Sequence, residues 1–311
     1  MDALLRAAES FVDYLGAISW GALALAIVCH LAKVVARTRS WRNILAASYP
    51  ETQVRWRSVF GAYVAGVGVN AVVPARGGDV LKLFLIKRRI EGSSYPTLAA
   101  TLLVETLFDI VVASLLLIWA LQQGVLPGLD VVGSLPSIDW FYVFQNPTVA
   151  AIIGVAALVL GFAVGVWASR RIEAFSQRVS QGFAILRSPA RYFRRVVPWQ
   201  ALDWCLRLTA LFFFLHAFGL PATAYNAFLV QVAESLATIA PLTPGGIGTE
   251  QALLLYVFAD DASRAAVLSF SIGLKLVLVA VNLVLGFTAI ALMLRTLRWR
   301  RLVGGEEITA R

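Results

Sequence analysis

Charge is scarce in this sequence, and that scarcity sets the first limit on what it can fold into. Only 14% of its 311 residues are charged, against about a quarter in soluble domains. Hydrophobic residues make up 59% and mean hydropathy is +0.76. The apolar runs are long and continuous, unlike the alternating segments of about ten residues that build an outer-membrane barrel. The composition therefore predicts an all-α polytopic membrane protein. Cysteine is nearly absent: Cys29 and Cys205 lie in apolar segments without a CxxC spacing and read as inert core residues. Histidine is as rare, and His30 and His216 share no HxxH or HExxH frame, so no metal site is expected. A Ser/His dyad and a phosphate loop are also missing, and no cofactor is expected. "RGGD" at Arg76 to Asp79 resembles the GxGD of intramembrane aspartyl proteases only superficially, because the second aspartate in an equivalent frame is lacking.

Acidic residues are outnumbered by basic ones, 18 to 27. The excess clusters at the ends of apolar runs, where it sets membrane orientation and meets anionic headgroups, so nucleic acid is not an expected partner. The start, "MDALLRAAESFVDYLG", has one arginine and three acids; without a basic n-region it reads as an interfacial turn leading into a span.

Full spans are predicted from Ile18 to Val35, Pro96 to Leu121, Pro147 to Ala168, Ala201 to Phe218 and Val267 to Leu294. Two other apolar segments break and resume. One runs from Trp56 to Val73, breaks at "PARGGD" and returns as "VLKLFLIKRR"; the other runs from Ala222 to Ala240, breaks at "PLTPGGIGT" and returns as "EQALLLYVFADD". Helical return arms from Gly78 to Lys87 and from Gly248 to Asp260 would be about 14 and 18 Å long, roughly half of the hydrocarbon thickness. Forcing a full crossing would drag "KRR" or "DD" into lipid, so each segment is expected to be a re-entrant hairpin, near 56–90 and 222–260.

Five arginines between Arg37 and Arg57 and seven between Arg170 and Arg195, against no lysine or arginine from Gln122 to Asn146, place the N-terminus outside and the C-terminus in the cytoplasm. The single membrane domain, 1–311, then divides into two inverted halves of span, broken hairpin, span. These cover 18–121 and 201–301, and a linking span with a cytoplasmic amphipathic helix, "RRIEAFSQRVSQGFAILRS", occupies 147–195. Such inverted-topology repeats with broken helices mark a transporter, and the breaks mark its substrate path. The likeness between the halves is one of pattern, not of residue identity.

Non-helical backbone at membrane depth must face protein or a wet cavity, so both breaks should point inward. In the first, Pro74 ends the helix, Gly77 and Gly78 permit reversal, and Arg76 offers a planar fork of donors suited to a phosphate. Asn70, Asp79 and Lys82 flank it. Arg76 either meets a headgroup or pairs with Asp79 or Glu105 to lock the hairpin. Glu105 and Asp109 lie one turn apart on one helix face; Arg76, Lys82, Arg207 and Lys275 are their candidate partners, and the pair acts as a structural clamp or a proton-sensitive element. Gln231 and Glu234 share a face before the second break. Glu250 opens the return arm after it, where it either caps the new helix at Thr249 or lines the path.

These motifs resemble the flippase-like transmembrane domain of lysylphosphatidylglycerol synthases and their stand-alone relatives. The resemblance rests on Asn70 with "PARGGD", on "VETLFD" at Val104 to Asp109, and most specifically on "TPGGIGTEQALL", including Thr243, Pro244, Gly245, Gly246, Gly248 and Glu250. It implies a stand-alone flippase or scramblase of the bacterial inner membrane that moves aminoacyl-phosphatidylglycerol or a related polar lipid, not an enzyme. The sequence shows no soluble aminoacyltransferase domain, so synthesis of such a lipid is not expected of it. Expected partners are membrane lipids, a separate lipid-modifying enzyme and a second copy of the chain in a homodimer. Two alternatives stay open: a carrier of isoprenoid phosphates or glycolipids, and a non-transporting partner that docks a lipid-modifying enzyme on its basic cytoplasmic helix.

Overall fold

A computed structural model describes residues 18–72, 77–122, 173–239 and 248–297. Among them every regular element is helical. In order these are α1 (Trp20–Ser48), α2 (Trp56–Asn70), α3 (Gly77–Lys87), α4 (Tyr95–Gln122), α5 (Glu173–Gly182), a short 3-10 turn (Ala184–Arg187), α6 (Pro189–Arg195), α7 (Val197–Ala217), α8 (Ala224–Ile239), α9 (Thr249–Val257) and α10 (Arg264–Leu297). Three of them, α1, α4 and α10, are long and apolar enough to cross a membrane. At 21 residues α7 is about 32 Å long, but it carries Asp203 and Arg207 along its length. The expected linking span, 147–168, lies outside the described residues, as does the chain before Ile18.

The first span needs correction. It does not stop at Val35, with Arg37 to Arg57 as a connector, but continues as helix to Ser48. Beyond Val35 the buried positions Arg37, Thr38, Trp41, Ile44, Leu45 and Ser48 repeat at helical spacing, so the helix keeps one inward face. The expected single amphipathic helix at 170–188 is likewise broken: α5 ends at Gly182, and Pro189 starts α6 as the first residue of a new helix. These short elements close over the ends of two long ones. Gln181 Nε2 donates to Ser48 O at 2.8 Å and Asn43 Nδ2 to Arg195 O at 2.6 Å.

Helix α7 pairs antiparallel with α1. Ser19 N donates to Ala217 O at one end of the pair, while Arg37 reaches Asp203 near the other. A second antiparallel pair joins α2 to α10, where the chains approach through glycine: a Cβ on Gly68 would stand 2.5 Å from the Gly286 Cα. Small residues give such close crossings where lipid supplies no hydrophobic drive between helices. Trp119 of α4 stands edge-on against Tyr225 and Phe228 of α8, at 5.5 and 5.7 Å between ring centroids.

Segments α2 and α3 form a tight antiparallel hairpin, in line with the predicted arms. Gly78 N donates to Asn70 Oδ1 at 2.7 Å, and a Cβ on Gly66 would come within 2.6 Å of Gly78 O. The second hairpin restarts at Thr249, as the sequence predicts, after Gly248 in a left-handed conformation at φ 93°.

Each hairpin sits in its own apolar cluster. Trp41, Leu45, Val59, Ala62, Leu85, Ile86 and Met293 surround the first, and Leu23, Phe214, Val230, Leu254, Phe258 and Phe270 surround the second. Between these clusters lie His30, Lys33 and Arg37 on α1, and Lys275 and Asn282 on α10. The outer faces are apolar, with Leu103, Leu107, Val111 and Leu115 exposed on α4 and Leu276, Val284, Phe287 and Leu292 exposed on α10. Cys205, expected in the core, lies on the outer surface.

Candidate functional site

The polar band between the two clusters is organised around Arg37. Its Nε donates to Glu105 Oε1 at 2.7 Å, its Nη1 to Asp109 Oδ1 at 2.8 Å and to Asp203 Oδ2 at 3.3 Å, and its Nη2 to Asp109 Oδ2. One guanidinium thus ties together carboxylates from α4 and α7. Lysine has a single charged nitrogen and no rigid fork, so it cannot reproduce this. Glu105 is 1% exposed and Asp203 fully buried. Two further donors reach these residues, Trp204 Nε1 to Asp109 Oδ1 at 2.9 Å and Gln200 Nε2 to the Glu105 carbonyl at 2.9 Å, while Asp203 Oδ1 has no hydrogen-bond partner among the described residues.

Of the expected partners of Glu105 and Asp109, Arg207 lies within electrostatic range of Asp109, but the direct contacts of all three candidates among the described residues go elsewhere. Lys82 instead meets Asp79 at 3.3 Å, Arg207 meets Asp203 at 3.5 Å, and Lys275 meets Glu250 at 2.6 Å. Glu105 and Asp109 both close on Arg37, which ties α4 to α1. Arg37 was missed because arginines at the end of an apolar run are ordinarily taken as solvated. Asp203 and Lys33 were missed as well, although an ionisable residue within a predicted span is itself the signal.

From Asp203 the charges continue toward the second hairpin. Lys33 of α1 lies within electrostatic range of Arg207, Asp203, Glu234 and Arg37. Glu234 of α8 lies within range of Glu250, Arg207, Lys33 and Lys275. Glu105, Asp109, Arg207, Glu234, Glu250 and Lys275, chosen separately from the sequence, therefore belong to one network with Arg37, Lys33 and Asp203. At its far end Gln251, not Glu250, supports the helix start: its Oε1 accepts from Gly248 N at 2.7 Å, and its Nε2 donates to Ser271 Oγ at 3.0 Å. Glu250, 3% exposed, faces Lys275.

Asn70, Asp79 and Lys82 form a separate group at the first hairpin. Asn70 spans the turn, accepting from Gly78 N and donating to Asp79 Oδ1 at 3.3 Å. Lys82 Nζ lies 4.6 Å from the Tyr63 ring centroid and 5.3 Å from that of Trp41, so its charge rests on aromatic faces as well as on Asp79. Pro74, Arg76, Thr243, Pro244, Gly245 and Gly246 lie outside the described residues. Of the two histidines, His30 shares a 2.9 Å hydrogen bond with Asn282, and no group of metal-ligating side chains occurs among the described residues.

Among curated proteins none matches the chain at a significant level. A family model does, that of the lysylphosphatidylglycerol synthase TM region, over residues 3–286. That span takes in all but the first two and last twenty-five residues, both hairpins and every charged residue of the network. The chain is a helical membrane protein belonging to the lysylphosphatidylglycerol synthase transmembrane-region family.

Proposed function

We propose that the protein is a lipid flippase or scramblase, a transporter and not an enzyme, that moves an anionic or zwitterionic phospholipid between the leaflets of a bacterial inner membrane. The observation that carries this reading is the continuous band of ionisable side chains between the two hairpin clusters, inside a molecule whose long helices turn leucine, valine and phenylalanine outward. Intramembrane charges of this kind mark substrate and ion pathways by default. In the proposed setting the hairpins are re-entrant from opposite faces, the N-terminus lies outside and the C-terminus in the cytoplasm. A headgroup entering between the halves exchanges its hydration for the polar band while its acyl tails stay in lipid. Family membership supports a role in handling lipids of the phosphatidylglycerol type.

Native mass spectrometry of the protein extracted in mild detergent identifies the cargo. A copurified phosphatidylglycerol or aminoacyl-phosphatidylglycerol, retained by the wild type and lost in Lys275→Met, is the expected outcome. An isoprenoid phosphate or glycolipid in that place would replace the substrate proposed. No retained lipid, together with loss of function only on charge reversal of Arg191, Arg194 and Arg195, would favour a docking partner.

A further inference from the structure

We propose that Glu234 and Glu250 form a proton-binding site at the second hairpin, and that its occupancy drives the lipid movement proposed above. The coupling rests on that reading; the proton site does not. Glu250 is 97% buried by its 3% exposure, and its two oxygens are treated differently. Oε2 takes the Lys275 ammonium at 2.6 Å, whereas Oε1 has no hydrogen-bond partner among the described residues. A buried, unmatched carboxylate oxygen carries a large desolvation cost. A second orphan acceptor, Gln231 Oε1, lies one turn before Glu234 on the same helix face, and Gln231 is also 3% exposed. A proton on Glu250 Oε1 removes that cost by turning the unmatched acceptor into a donor; Asp203 Oδ1 and the Arg207 Nε donor are the other buried atoms of the network without a hydrogen-bond partner among the described residues.

Charge balance points the same way. The network has five carboxylates, Glu105, Asp109, Asp203, Glu234 and Glu250, and four cations, Lys33, Arg37, Arg207 and Lys275. One added proton makes it neutral. Charged groups from four other helices lie within electrostatic range of Glu234: Lys33 from α1, Arg207 from α7, Glu250 from α9 and Lys275 from α10. From α4, Glu105 and Asp109 turn instead to Arg37. A metal cation fits less well, because the Lys275 ammonium already stands on Glu250. The Lys275 side chain is 39% exposed and so opens the site to the surface. Protonating Glu250 weakens its hold on Lys275, which frees an ammonium for a phosphate headgroup, and loss of the proton restores the pair.

Infrared difference titration of the purified protein tests the site without any transport assay. A protonated-carboxyl C=O band that titrates, shifts in heavy water and disappears in Glu250→Gln is the expected result, with Glu250→Asp as the folded control that keeps a displaced band. Absence of the band in wild type, or a band that sodium abolishes, overturns the proposal. In vesicles carrying a fluorescent phosphatidylglycerol, an imposed pH gradient should accelerate translocation by wild type and have no effect on Glu250→Gln. A titrating band with gradient-insensitive translocation overturns the coupling. The same band in a protein that moves no lipid leaves the proton site standing and removes the transport reading.

Discussion

Arg37→Met should unfold much of the molecule, with a loss of roughly 3–5 kcal/mol, the range for removing one partner of a buried ion pair. The substitution keeps an unbranched stem of similar reach, so packing changes little. What it removes is the cation that, among the described residues, pairs with Glu105, Asp109 and Asp203 together. Two of these have almost no exposure, and each would be left as an ion or forced to take a proton. Arg37→Lys should fall between Met and wild type, because it keeps the charge but not the fork. Thermal unfolding in detergent, read by intrinsic fluorescence, separates the three. A Met variant that melts with the wild type would mean that the carboxylates are held by other means.

Gly78→Ala should also be severe, for a steric reason. The added methyl lands on Gly66 O, a backbone atom that cannot rotate away, in a hairpin already fixed by the 2.7 Å bond from Gly78 N to Asn70. Overpacking costs about 1–3 kcal/mol where side chains can adjust; here the obstacle is main chain, so the upper end or more is expected. Gly21→Ala is the matched control, since that helical glycine has nothing within 4 Å of the added methyl, and it should be neutral or stabilise by about 1 kcal/mol. Melting curves that coincide for the two alanine variants would contradict the hairpin geometry.

Much of this architecture was legible in the sequence because its signals are local. Apolar length gave α4 and α10, and the Pro/Gly breaks with their short return arms gave α3 and the restart of α9 at Thr249. The end of α1 was not legible from hydropathy: arginines after Val35 look like a cytoplasmic connection unless the inward spacing of Arg37, Trp41, Ile44 and Ser48 is noticed. The partners of the site carboxylates were not legible either. A carboxylate pair on one helix states the need for a cation, but choosing Arg37 over Lys82 or Lys275 depends on which helices pack together, and the packing of α1 against α4 and α7 that decides this joins residues far apart in sequence.

Lipid translocation in reconstituted vesicles tests the central claim most directly. Purified protein in vesicles carrying fluorescent anionic, aminoacyl and polyprenyl lipids should move at least one of them between leaflets faster than protein-free vesicles do, with phosphatidylglycerol-type lipids preferred. No translocation above the protein-free rate across the whole panel would contradict it.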